Sequence, residues 1–274
     1  MKTSVKSFVI GFVTTASVMM SFDAAFAQEP DARDQDSFSG TIITGVASIP
    51  EFEGASNQSI IPLVAGELRW EDRYFAVDGV SARANVLNSR NFEFGPVADI
   101  SFGRGKDVKS GAVRALGLID DAYQVGAFAA VKLPTLLTEG DEVRLSIQGT
   151  RDVSDVHEGW LGEVSLRYRL PVSSKLSLSA DASVRFADDK YAKTYFSVST
   201  PDAAASGLDT FEAEGGVKDL GASLTATYAL TDRWAISAFG GYRRLVGDFG
   251  NSPIVKDAGD RNQLTAGIGI GFNF

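Results

Sequence analysis

One regularity constrains this chain more than any other. Apolar side chains alternate with small or polar ones, repeatedly, over stretches too long for an ordinary soluble sheet. "KLSLSADASVRF" puts Leu176, Leu178, Ala180, Ala182, Val184 and Phe186 on one parity, and Ser177, Ser179, Asp181, Ser183 and Arg185 on the other. "LGASLTATYAL", "WLGEVSLRYRL" and the closing "LTAGIGIGFNF" repeat the pattern. Successive side chains of a β-strand point to opposite faces, so each stretch has one greasy face and one bare or polar face. "YQVGAFAAVKL", "EVRLSIQG" and "FEFGPVADISF" follow less cleanly, while "SGTIITGVASI", "IIPLVAGELRW" and "RYFAVDGVSARANVL" are strand-like but mixed. No stretch after residue 27 shows a sustained period of 3.6, so the expected class is all-β.

Strand length then narrows the class. Several stretches run about 10–14 residues, where about five or six is usual in globular sheets. About 9–11 residues is what a tilted strand needs to cross a bilayer. The turns fall into two kinds. "WEDRY", "LPVSSKL" and "ALTDRWA" are tight, whereas "PEFEGASNQS", the stretch 188–216 and "GDFGNSPIVKDAGDRN" are long and polar. Short turns at one end and long loops at the other are the anatomy of an antiparallel outer-membrane barrel. Trp70, Tyr74, Tyr168, Tyr228, Trp234, Phe272 and Phe274 gather at the short-turn end, as an interfacial aromatic girdle would. Closure with both termini at that end requires an even number of strands. Two candidates precede "WEDR", five lie between it and "PVSSK", two more reach "TDR", and two follow. About 12 strands are therefore expected, with 10 as the alternative. The parity error belongs to the unclear stretch Arg104–Asp121 or to one misread long segment. "KYAKTYFSVST", although strand-like, is assigned to a long outer loop or to an insertion in the barrel mouth.

The amino-terminal stretch reads as an export signal. Two lysines precede the apolar run "FVIGFVTTASVMMSF", and "AAFA" places Ala25 and Ala27 for cleavage between Ala27 and Gln28. The expected organisation is a signal peptide over residues 1–27, a short polar segment over 28–37 and a barrel over 38–274. Beyond residue 27 no apolar run approaches 18 residues, so no transmembrane helix is available. There is no cysteine, which removes disulfides, thiol catalysis and thiolate metal sites. The net charge of −9 lacks the basic footprint of a nucleic-acid binder.

Three segments resemble the MipA/OmpV family of outer-membrane proteins. "IPEFEGASNQSIIPLVAGELRW" carries Pro50, Gly54 and Pro62; "DKYAKTYFSVSTPDAAASGLDTFEAEGGVKDL" carries Tyr191, Tyr195, Phe196, Ser206, Gly207, Gly215 and Gly216. "YALTDRWAISAFGGYRRLVGDFGNSPIV" carries Trp234, Ser252 and Pro253. Ser197 departs from the glycine more usual at its place. The resemblance implies an outer-membrane barrel of a Gram-negative envelope, with a scaffolding or envelope-integrity role. It also implies partners: outer-membrane lipids, a lytic transglycosylase and a murein synthase. The ending, with Phe272 and Phe274, resembles the aromatic terminus that such barrels offer to the barrel-assembly machinery.

Chemistry read from the residues is sparse. His157 is the only histidine, and although Asp155 and Glu158 are near, there is no G-x-S-x-G elbow. It is read as a solvated loop residue, and no catalytic residue is assigned. "GIGIG" lacks the spacing and following helix of a dinucleotide site, so no cofactor is expected. Asp120-Asp121 and Asp188-Asp189 read as solvated turns rather than cation ligands. Inward positions carry both signs of charge at Asp99, Lys132, Glu163, Arg167, Arg169, Asp181 and Arg185. Mixed charges in a narrow lumen pair and plug it. A scaffold, a small pore, a surface adhesin and a secreted soluble β-protein stand as the readings.

Overall fold

The computed structural model describes residues 38–274; the expected signal sequence, Ala27 and Gln28 lie outside them. The described residues form twelve strands: β1 Phe38–Pro50, β2 Gln58–Trp70, β3 Arg73–Asp78, β4 Ser81–Asn85, β5 Phe92–Ser101 and β6 Ala122–Pro134, then β7 Glu142–Asp152, β8 Trp160–Pro171, β9 Leu176–Ala187, β10 Gly216–Ala229, β11 Trp234–Leu245 and β12 Asn262–Asn273. Each pairs antiparallel with its sequence neighbours, and β1 pairs with β12 from Thr41↔Asn273 to Ser48↔Ala266, so the sheet closes on itself. Closure removes the sheet edges that would otherwise leave backbone groups unpaired in lipid. Among the described residues no helix is long and apolar enough to cross a membrane.

The twelfth strand comes from the segment "RYFAVDGVSARANVL". Gly79, at φ +58, turns the chain between β3 and β4. The stretch Arg104–Asp121 contributes no strand to the wall. It holds α1 (Gly111–Ala115) and a single bridge between Arg104 and Ile119. The β3–β4 hairpin is short, so the β2–β3 ladder covers only Ala65–Trp70. The Gly79 N–H donates to the Val64 carbonyl, which sets the hairpin-facing parity of β2. Pro62 shares that parity, so its nitrogen, which carries no hydrogen, lies where the hairpin has already ended. A proline is tolerated in a strand at such a position.

Outward residues are the expected greasy parity: Val64, Leu145, Leu178, Leu224 and Ile268 are all exposed. Trp70, Tyr228, Trp234 and Phe274 form the girdle at the short-turn end, with the Trp234 and Phe272 rings 4.8 Å apart. Tyr74 does not belong to it. Its side chain is buried in the lumen and its hydroxyl donates to Glu93. A second aromatic set, Tyr123, Trp160, Phe186 and Tyr242, is exposed near the long-loop ends of their strands. The mixed patterns of β1 and β2 have a simple cause. Their inward faces are apolar too, with Ala47, Ile49 and Leu63 packed on Phe239, and Ile43 on Ala65 and Ala235. Gly267 leaves the room that the Phe239 ring occupies: a Cβ there would meet the ring at 2.3 Å.

The long loops fold over and into the mouth, and the segment that read as strand-like is helical. α2 (Asp189–Phe196) buries Tyr191, Ala192, Tyr195 and Phe196, a helical face only two turns long and so too short to register as a period. α3 (Thr200–Ser206) starts on a Ser199 capping box and ends at Gly207 in the left-handed conformation (φ 75). α4 (Gly247–Asn251) and α5 (Pro253–Lys256) follow β11.

Candidate functional site

The mouth of the barrel is filled by its own loops. One apolar cluster joins Tyr191, Tyr195 and Phe196 of α2 to Leu245, Phe249 and Val255. A second joins Phe52, Ala55, Val108, Val113, Val198 and Ile254, from four different loops. The packing is directed by caps. Asp188 accepts from the Tyr191 N–H to start α2, and Asp189 accepts from the Gly215 N–H to tie down the far end of the loop. The Ser252 hydroxyl donates to the Phe196 carbonyl at 2.6 Å and accepts from the Ile254 N–H. Pro253 occupies the first turn of α5, where its missing N–H costs nothing.

Beneath the apolar clusters lies a charged layer. Glu53, from the loop after β1, accepts from Lys218 Nζ at 2.7 Å and from the Tyr191 hydroxyl at 2.7 Å, with Arg185 at 3.3 Å. Asp219 is fully buried and pairs with Arg185 at 2.7 Å and Arg243 at 2.8 Å. Burial pushes the Glu53 carboxyl up, but Lys218 and Arg185 outweigh it and hold the group below its ordinary value. Burial, followed by the Glu53 charge, raises the Tyr191 hydroxyl well above 10. The layer links loop, helix and wall, with Glu53 and Tyr191 separated by 138 residues in sequence.

His157 is buried, not solvated as the sequence suggested. The turn that carries it is pulled inward by Asp152, whose Oδ2 accepts from the N–H groups of Val156, His157 and Glu158. Its Nδ1 accepts from the Gly159 N–H at 3.0 Å, Nε2 lies 3.1 Å from the Gln124 amide, and the ring stands edge-on to Tyr191 at 5.0 Å. Burial lowers its pKa from 6.5, so the neutral ring is the resident form. The ring neighbours are an aromatic cluster and amides; neither Asp155 nor Glu158 is bonded to it. Arg104 reaches the Tyr195 carbonyl from across the mouth, and burial pushes its pKa down to about 10.

Most of the positions singled out from sequence meet at this end. Gly54 has φ +95 and its Cβ would collide with Val255; its N–H donates to Gln263. Gly215 packs against the backbone of Asp188, and Gly216 has φ 150. Pro50 is buried at the end of β1, and the Ser206 hydroxyl closes α3 on the Asp202 carbonyl. Trp234, Phe272 and Phe274 lie at the opposite end, and Pro62 sits in the wall. Two of the inward charges seen in sequence pair directly, Arg167 with Asp181 at 2.6 Å, and a third, Asp99, is bonded by Ser81 and Gln148. Sequence reasoning missed Glu53, Lys218, Asp219 and Glu93. None stands out locally, although Glu53, Lys218 and Asp219 lie within the family-like segments.

A closed antiparallel barrel with a lipid-facing apolar exterior, two aromatic sets and a loop-filled mouth defines an outer-membrane barrel protein. Residues 42–274 match the family described as MltA-interacting protein MipA, and the chain belongs to that family. YiaT of Escherichia coli K12, an outer-membrane protein by name, is 29% identical over 124 residues, 45% of this chain and 48% of that protein. The match thus spans about half the length of that relative. Among solved structures, an outer membrane channel from Pseudomonas putida F1 aligns over 90% of this chain and 100% of its own, at 10% identity and a TM-score of 0.46. OprB from Pseudomonas putida aligns over 88% of this chain and 95% of its own, at 9% identity and 0.42.

Proposed function

We propose that this protein is a non-enzymatic scaffold of the outer membrane that serves murein maintenance, with a lytic transglycosylase and a murein synthase as its periplasmic partners. Membership of a family named for interaction with MltA supports the partner class. The observation that carries the reading is the plug. Glu53, Lys218, Tyr191, Arg185 and Asp219 lock loops to wall across the lumen, an arrangement that suits a rigid platform better than a conduit. Fold alone does not carry a partner, so the test is direct. Crosslinking in intact cells followed by mass spectrometry should recover a murein hydrolase, and purified barrel in planar bilayers should show no stable conductance steps. Stable steps together with no captured hydrolase would replace the scaffold with a small pore. Export by cleavage after Ala27, and presentation of Phe274 to the barrel-assembly machinery, belong to the same reading.

A further inference from the structure

The opposite half of the lumen is built differently. At the short-turn end a cavity of about 280 Å³ is lined by Arg69, Arg83, Lys132, Arg144, Arg167 and Arg169, against Glu67, Glu93 and Glu142, with Tyr74 on its wall. Those cations come from five different strands. Two of the three carboxylates are already committed, and of the cations Arg167 is taken by Asp181 at 2.6 Å. Glu93 takes Arg144 at 2.8 Å and Lys132 at 3.3 Å, and also accepts from the Tyr74 hydroxyl. Glu67 takes Arg69 at 2.6 Å. Arg83 stands deep in the wall of the cavity, and its buried Nε meets no hydrogen-bond acceptor. Its guanidinium lies 6.0 Å from the centre of the Phe128 ring, a contact that orients it without neutralising it.

A buried Nε–H with no acceptor is costly in a finished interior. A surplus of arginines converging on a walled cavity is what recognition of carboxylate or phosphate requires, because the planar fork matches both groups. The volume sits at the small end of ligand pockets, which excludes bulky guests. The barrel wall separates the cavity from lipid headgroups, so the guest arrives in solution from the short-turn side, which is periplasmic in outer-membrane barrels. We propose that this vestibule binds a compact, multiply charged oxyanion from the periplasm, held by Arg83 at its base and Arg169 toward its rim.

Isothermal titration calorimetry on the refolded barrel in neutral detergent at low salt tests this, with citrate as the carboxylate probe and pyrophosphate as the phosphate probe. Saturable one-site binding of either supports the assignment, and the preference between them names the group recognised. Arg83→Gln and Arg169→Gln should each weaken binding about tenfold, the scale of one charge-assisted hydrogen bond. Lys256→Gln, in a loop at the other end, should bind as the parent does. Heat-modifiable migration reports whether each variant has assembled. Should Arg83→Gln fail to assemble, the more peripheral Arg169→Gln still decides. Absence of saturable heat for both anions at millimolar concentration overturns the proposal, as does unchanged affinity in Arg169→Gln.

Discussion

Replacing Glu53 with alanine should cost far more than its place in an outer loop suggests. The carboxylate satisfies Lys218 Nζ at 2.7 Å, and the lysine side chain is only 3% exposed. Without Glu53 the nearest remaining partner of that ammonium is the Tyr191 hydroxyl at 3.4 Å, which itself loses its acceptor. Removing one partner of a buried ion pair leaves an uncompensated charge and typically costs about 3–5 kcal/mol. Removing both partners is a different perturbation, since an apolar pair of similar volume is often close to neutral. Glu53→Ala should therefore lower the urea midpoint, read by tryptophan fluorescence in detergent, by the equivalent of about 3–5 kcal/mol. Adding Lys218→Met should restore most of the loss. Lys218→Met alone completes the cycle, and its interaction energy reports the coupling between the two touching residues. A single variant within about 1 kcal/mol of the parent, or a double variant as weak as the single, would refute the reasoning.

The facing of the wall predicts an asymmetry between neighbours. Leu224→Arg puts a charge on the lipid side and should cost about 2–4 kcal/mol near the midplane. Thr225→Arg, pointing into a packed interior, should instead cost about 1–3 kcal/mol through overpacking; a loss of heat-modifiable barrel in Thr225→Arg as large as in Leu224→Arg would contradict the assignment. Acid should loosen the mouth through His157. Its pKa is depressed in the folded state, so the stability it contributes is present above 6.5 and declines as pH falls below that value. Limited proteolysis of the 188–215 loop should accelerate between pH 7 and pH 5 in the parent and much less in His157→Gln. A tag inserted at Ala204, on the exposed α3, should be labelled on intact cells, whereas one between Thr231 and Asp232 should require a permeabilised outer membrane. Equal labelling of both would invert the topology. Deleting Phe274 removes a half-exposed ring that covers Gly40, worth about 2 kcal/mol by area. Failure of assembly well beyond that figure, seen as periplasmic protease-sensitive protein, is the expected result if the residue is a recognition signal.

What the sequence determined by itself was the wall. Alternation is a local property with a period of two residues, so Leu176–Phe186, Leu220–Leu230 and Leu264–Phe274 announce their lipid and lumen faces without reference to anything distant. Turn length, equally local, distinguished the two ends and picked out three of the mouth loops; the stretch 104–121, which brings Val108 and Val113 into the mouth, carried no such signal. The pattern blurred where both faces are apolar, as at Ile43 and Leu63, and where a hairpin is tight enough to hide inside one segment, as at Gly79. The lumen was decided only in three dimensions. Most lumenal charges take their partners from another strand or loop: Arg144 meets Glu93 from 51 residues away, and Tyr191 meets Glu53 from 138. Tyr74 turned inward for that reason, towards Glu93, although its sequence position suited the girdle. His157 is buried because Asp152 folds its turn inward against an aromatic helix that arrives later in the chain. The surplus of arginine at the short-turn end has the same origin. No single strand of β2 to β8 is conspicuously basic, and only closure of the barrel brings Arg69, Arg83, Arg144 and Arg169 around one cavity.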